Sequence, residues 1–158
     1  MESDLSLQVT LAPQAPILEA QEPFALPIKV SVHNPADSPV TILKWGTPLD
    51  PQAGVLGVFE ICDTTDQRKV SIPTIMVSRK LPATEKDLVE IQARQTLDVT
   101  INLPVQLEKG HEYSVRAQGT WHAVWPTELS NVTVAQLKDN GGASRGDFLS
   151  NESSVSIE

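Results

Sequence analysis

The chain is poor in aromatic residues, in cysteine and in positive charge. Aromatics make up 4% of its 158 residues. A core must therefore be built mostly from Val, Ile and Leu. Cys62 is the single cysteine, so no intrachain disulfide can form, which favours a reducing compartment. Lys and Arg number 12 against 20 Asp and Glu, a formal net charge of −8. That balance excludes general nucleic-acid binding, which needs cations to neutralise phosphate. It also argues against an anionic membrane surface. No run approaches the ~18 apolar residues of a membrane-spanning helix. The opening Met1-Glu2-Ser3-Asp4 is acidic with no apolar stretch behind it, unlike a secretory leader. Unless a leader has been trimmed away, the expectation is a cytoplasmic protein.

What is present is a period of two. Leu5, Leu7, Val9 and Leu11 alternate with polar residues, as do Leu26, Ile28, Val30 and Val32, and again Leu97, Val99, Ile101 and Leu103. Alternation puts one set of side chains on one face of a sheet. Further strand signals lie at Val40–Ile42, Leu56–Ile61, Val70–Ile72, Ile75–Val77, Leu88–Ile91, Tyr113–Trp121, Val132–Leu137 and Val155–Ile157. Turn residues such as Asn34-Pro35-Ala36-Asp37 and most of the 12 prolines fall between them. Thr84–Leu88 suits one helical turn. The spacing predicts an all-β protein, an antiparallel immunoglobulin-like β-sandwich of about seven to nine strands. The expected division is a sandwich over residues 1–137, with 138–158 a flexible loop carrying a possible terminal strand, because Lys138–Gly146 is rich in Gly, Asn, Asp and Ser.

No catalytic, cofactor or metal motif emerges. His33, His111, His122 and Cys62 lack ligand spacing. There is no nucleophile elbow, and Gly141-Gly142 lacks the Lys-Ser/Thr of a phosphate loop. Arg145-Gly146-Asp147 is a three-residue match of the sort chance supplies. Asn131-Val132-Thr133 and Asn151-Glu152-Ser153 are glycosylation triplets that matter only in a secreted chain. The three Trp stand out. Trp121 and Trp125 lie four apart and would share a face if their stretch is a regular strand, where they pack or, with Trp45, form an exposed stacking surface.

The stretch LPIKVSVHNPADSPVTILKWGTPLD, Leu26 to Asp50, resembles the amino-terminal pro-region of deuterolysin-type fungal metalloendopeptidases. The matching residues are Val30, Val32, Asn34, Val40, Leu43, Gly46, Thr47, Leu49 and Asp50. Arg79-Lys80 stands where that family has a basic cluster, and Glu108–Gly119 (EKGHEYSVRAQG) is similar to its closing strand. The resemblance runs from about Gln8 to Gly119. It departs at Gln92-Ala93-Arg94-Gln95, where the family has a Pro-Gly turn, and it includes no catalytic domain or zinc ligands. It implies a stand-alone relative of a domain that assists folding and keeps a protease latent. The residues alone read Asp50 as a turn former through an Asx-type bond and Gly46 as a close approach beside Trp45.

These readings converge on a non-catalytic protein-binding module with no cofactor and no metal. Its expected partner is a protein, a metalloprotease if the resemblance holds, and neither nucleic acid nor membrane. The candidate contact residues are Trp45, Leu49, Asp50, Arg79, Lys80, Trp121 and Trp125. A small-molecule or glycan-binding sandwich and a homo-oligomer subunit are the alternatives.

Overall fold

The computed structural model describes residues 7–13, 26–77, 79, 81–105, 107–108 and 110–156. Among them are β1 (Gln8–Pro13), β2 (Leu26–His33), β3 (Val40–Leu43), β4 (Phe59–Asp63), β5 (Arg68–Val70), β6 (Leu88–Ile91), β7 (Thr96–Leu103), β8 (Glu112–Trp125), a short helix α1 (Val134–Asp139), β9 (Ser144–Leu149) and β10 (Ser153–Ser156). All the pairings are antiparallel. β1-β2-β7 form one sheet. The other runs β5-β4-β8-β3-β6, with β9 and β10 also paired to β8. This is the all-β sandwich that the alternation predicts.

The alternation is realised residue by residue. Leu26, Ile28, Val30 and Val32 of β2 are buried, while the residues between them are not. They pack with Val9 and Leu11 of β1 and with Phe59, Ile61, Tyr113, Val115 and Trp121 of the facing sheet. Aliphatic side chains with a few aromatic ones thus fill the space between two layers, where burial of apolar area stabilises by about 25 cal/mol per Å².

The chain changes sheet between His33 and Val40. Asn34, 1% exposed, holds that corner. Its Nδ2 faces the carbonyls of Ser38, Ile91 and Gln92 at 2.9, 3.1 and 3.2 Å, and its Oδ1 accepts from the Ala36 amide at 3.0 Å. One carboxamide therefore ties the corner to the β6–β7 connection.

Four local expectations are corrected. Trp121 pairs Gly146 but Val124 pairs Ser144, so β8 carries one extra residue, a β-bulge. Trp121 and Val124 then face the main core, while Ala123 and Trp125 face a second cluster with Leu43, Leu88 and Leu137. The two indoles lie on opposite faces rather than one. Val132–Leu137 is not a strand; from Val134 it is the helix α1. Thr133 accepts from the Gln136 amide at 3.1 Å, Gln136 Oε1 accepts from the Thr133 amide at 2.8 Å, and Asn140 closes the helix at φ 58°. This is a capping box with a left-handed C-cap. Leu137 is the side chain α1 buries. Within 138–158 the expected terminal strand forms as β10, and a further strand, β9, stands where only loop was expected; both line one edge of β8. Ile75–Val77 is irregular and exposed rather than strand. The helical turn expected at Thr84–Leu88 forms as the 3-10 turn Glu85–Asp87.

Candidate interaction surface

β3 ends at Leu43, and the chain then folds into a compact knot through Asp50. The Thr47 hydroxyl donates to the Lys44 carbonyl at 2.7 Å and accepts from the Leu49 amide at 3.1 Å. Asp50 accepts from the Gly46 and Gln52 amides, each at 2.9 Å. Thr47, Leu49 and Asp50 are all buried. Gly46 sits at φ +70°, where a Cβ would come within 3.3 Å of His122 Nε2. The Asx-type bond expected of Asp50 is present, and the Thr47-Pro48-Leu49-Asp50 motif acts structurally, closing the knot.

A buried carboxylate needs a cation. Arg79 supplies it with two guanidinium nitrogens, Nη2 at 2.9 Å from Oδ1 and Nη1 on Oδ2. Burial alone would raise the Asp50 pKa, but Arg79 and the two amides outweigh it and hold the carboxyl below its ordinary value. The same pairing raises Arg79. Trp45, half-buried, lies 5.9 Å from the guanidinium carbon, within cation–π range.

Three of the sequence candidates, Trp45, Asp50 and Arg79, are therefore one constellation. Leu49 supports it from the core side, and Lys80 lies outside the described residues. Trp121 and Trp125 are 0% and 1% exposed, so neither offers a ring face to a ligand. Trp125 Nε1 donates to the Gly141 carbonyl at 2.8 Å, locking it to the turn after α1.

Just before Arg79 the chain presents apolar side chains to water. Met76 is 100% exposed, Ile75 52% and Val77 37%, with Leu81 at 42% beyond it. The Ile75 amide donates to the Val55 carbonyl at 2.9 Å. The segment is thus fastened on one side by a backbone bond and on the other by the Arg79–Asp50 pair. As a short apolar run these residues suggest a strand, which hides their exposure; the absence of alternation between Pro73 and Arg79 is the available signal. Beside this segment a hollow of about 380 Å³ is lined by Phe59, Glu60, Lys69, Ile72, Thr74 and others, and one of about 430 Å³ lies around Asp63, Arg68, Glu108 and Tyr113.

The latter hollow borders a cluster of charge. Ligand atoms of Asp63, Asp66, Glu108 and His111 lie within 4.8 Å of one another. This donor set would suit a hard cation, yet its atoms are already engaged. Asp63 accepts from the Thr65 and Asp66 amides at 2.9 and 3.0 Å and from His111 Nδ1 at 2.8 Å, while His111 Nε2 lies 3.3 Å from Glu108. The Asp63 hydrogen bond raises the His111 pKa against the opposing effect of burial, and the charges of Asp63, Asp66 and Glu108 add to it. The cluster clamps the β4–β5 turn to the start of β8. His33 sits elsewhere, against Thr96 Oγ1 at 2.8 Å, and His122 against Gly46.

A family model of an immunoglobulin-like domain matches residues 17–157. The chain is 35% identical over 154 residues to a protein described as an "Uncharacterized secreted protein" in Arthroderma benhamiae, covering 95% of this chain and 78% of that relative. The family match agrees with the sandwich seen here, and neither match reaches the finer likeness to a deuterolysin pro-region. The secreted relative overturns the cytoplasmic location expected from the sequence. The single cysteine carried little weight on this point, because a domain of this size builds a core without cross-links.

Proposed function

The chain belongs to the immunoglobulin-like domain family, and on that premise we propose that it is a secreted, non-catalytic module that binds a protein through the Ile75–Val77 segment. The observation that carries this reading is the exposed apolar group of Ile75, Met76, Val77 and Leu81, fastened beside Arg79 and Trp45. Exposed apolar side chains gathered in one place mark interaction sites, and binding residues commonly sit on loops held by a rigid scaffold. Fastening at Val55 and Asp50 limits the conformational entropy such a loop loses on docking. Secretion is carried over from the relative's description.

The likeness of Leu26–Asp50 to deuterolysin pro-regions supplies the class of partner, a metalloendopeptidase, with this domain as its inhibitor or folding partner. The test is titration of a deuterolysin-type protease with the purified protein. Inhibition that is complete near a one-to-one ratio, and weakened at least tenfold by Met76→Asp, is the expected result. Full protease activity at a large excess of the protein removes the inhibitor version. Direct binding by calorimetry to the same protease and to its separately refolded precursor then decides the folding-partner version, and no heat in either sinks it.

A further inference from the structure

The asparagines of the two Asn-x-Ser/Thr triplets are both exposed, but their side chains are engaged differently. Asn131 closes the 3-10 turn Leu129–Asn131 ahead of α1 and is exposed. Its Nδ2 donates to Thr127 Oγ1 at 3.1 Å and Glu128 Oε1 at 3.5 Å, and both bonds are exposed. Water can replace either bond, so a substituent on this nitrogen displaces nothing buried.

Asn151 lies in the break between β9 and β10. Its Oδ1 accepts from the Leu11 amide at 2.8 Å, and its Nδ2 donates to the Leu11 carbonyl at 3.3 Å. The side chain thus takes both backbone groups of one residue of β1, 140 positions away, and stitches the edge of the three-stranded sheet to the other sheet. Such a two-point contact uses the amide proton on the same side as Oδ1. A glycosylated Asn is a secondary amide, and the trans form places its oxygen and its remaining proton on opposite sides. The sugar would occupy the position of the proton that reaches Leu11. Asn151 cannot both hold β1 and carry a glycan.

We propose that Asn131 is an N-glycosylation site and that Asn151 stays unmodified as the stitch between the two sheets. This rests on the secretion reading above. The donor would be an oligosaccharide on a lipid diphosphate. The Asn131 Nδ2 forms a bond to the anomeric carbon, the anomeric carbon–oxygen bond breaks with its electron pair leaving on the diphosphate, and one amide proton passes to a base of the transferring enzyme.

The test is to express the full chain behind a heterologous leader in a yeast secretory host. The secreted protein is treated with peptide N-glycosidase, and Asn-to-Asp conversion is read by peptide mass spectrometry. Conversion at 131 and not at 151 is expected, with the glycan lost in Asn131→Gln and kept in Ser153→Ala. Hydrogen exchange supplies the second readout: the Leu11 amide should exchange at least tenfold faster in Asn151→Ala. A secreted protein bare at 131, or folded and glycosylated at 151, overturns the inference, as does unchanged Leu11 exchange. The leader makes entry independent of native targeting. Absence of the native chain from its culture medium would instead count against the secretion reading.

Discussion

The Arg79 guanidinium engages the fully buried Asp50 carboxylate with two nitrogens while lying 5.9 Å from the centre of Trp45. Removing the cation leaves a buried carboxylate held by two amides alone. Arg79→Met should destabilise the fold by about 2–4 kcal/mol, less than a wholly dry pair would lose because Arg79 keeps some contact with water. Urea unfolding measures it. The Asp50 pKa is lowered, so its contribution is complete above the unfolded value near 4 and fades as pH falls through the folded one. Arg79→Met should therefore be least harmful in strong acid; an undiminished cost there would rule the pair out as its source.

His111 has the opposite sign. Its pKa is raised by Asp63 first, so the clamp is fully formed below about pH 6.5 and is lost as pH climbs through the higher folded value. His122 is lowered by burial and by Arg145, so it costs stability as pH falls. The difference between wild type and His111→Gln is therefore the informative quantity. It should shrink in parallel urea titrations as pH rises above about 6.5 and through the raised folded value, and a difference that grows with pH would contradict the clamp.

Asn34→Ala should cost about 2–3 kcal/mol, because it leaves buried carbonyls and the Ala36 amide without their partner. Hydrogen exchange should localise the loosening to the amides around Ala36, Arg94 and Gln95. A loss spread evenly over both sheets would show that the side chain does not act as a corner tie.

Gly119 stands opposite Phe148 in the β8–β9 register, and a Cβ there would fall 2.9 Å from the Phe148 ring. The ring packs on Trp121 at 4.8 Å between centroids. Gly119→Ala should cost about 1–3 kcal/mol by forcing the ring away. It should also shift the tryptophan fluorescence, and Phe148→Leu in the same chain should recover part of the loss. Strict additivity of the two changes would mean that they do not meet.

The alternation of Leu26, Ile28, Val30 and Val32 fixed a half-buried strand without reference to the rest of the chain, because side-chain direction in a strand reverses at every residue. The same local physics placed Asp50 in an Asx-type turn and a helical turn after Thr84. The capping box at Thr133 and Gln136 was also present in the sequence, but three valines and leucines around it read as strand. Only pairing across the fold decided the rest. The extra residue of β8 shows only in its register with β9, and it turns Trp125 to the other face. β9 buries little besides Phe148, so its strand state comes from β8 beside it rather than from its own pattern. Arg79 meets Asp50 across 29 residues and Asn151 meets Leu11 across 140. Contacts at that separation depend on how two sheets are laid together, and no local period records it.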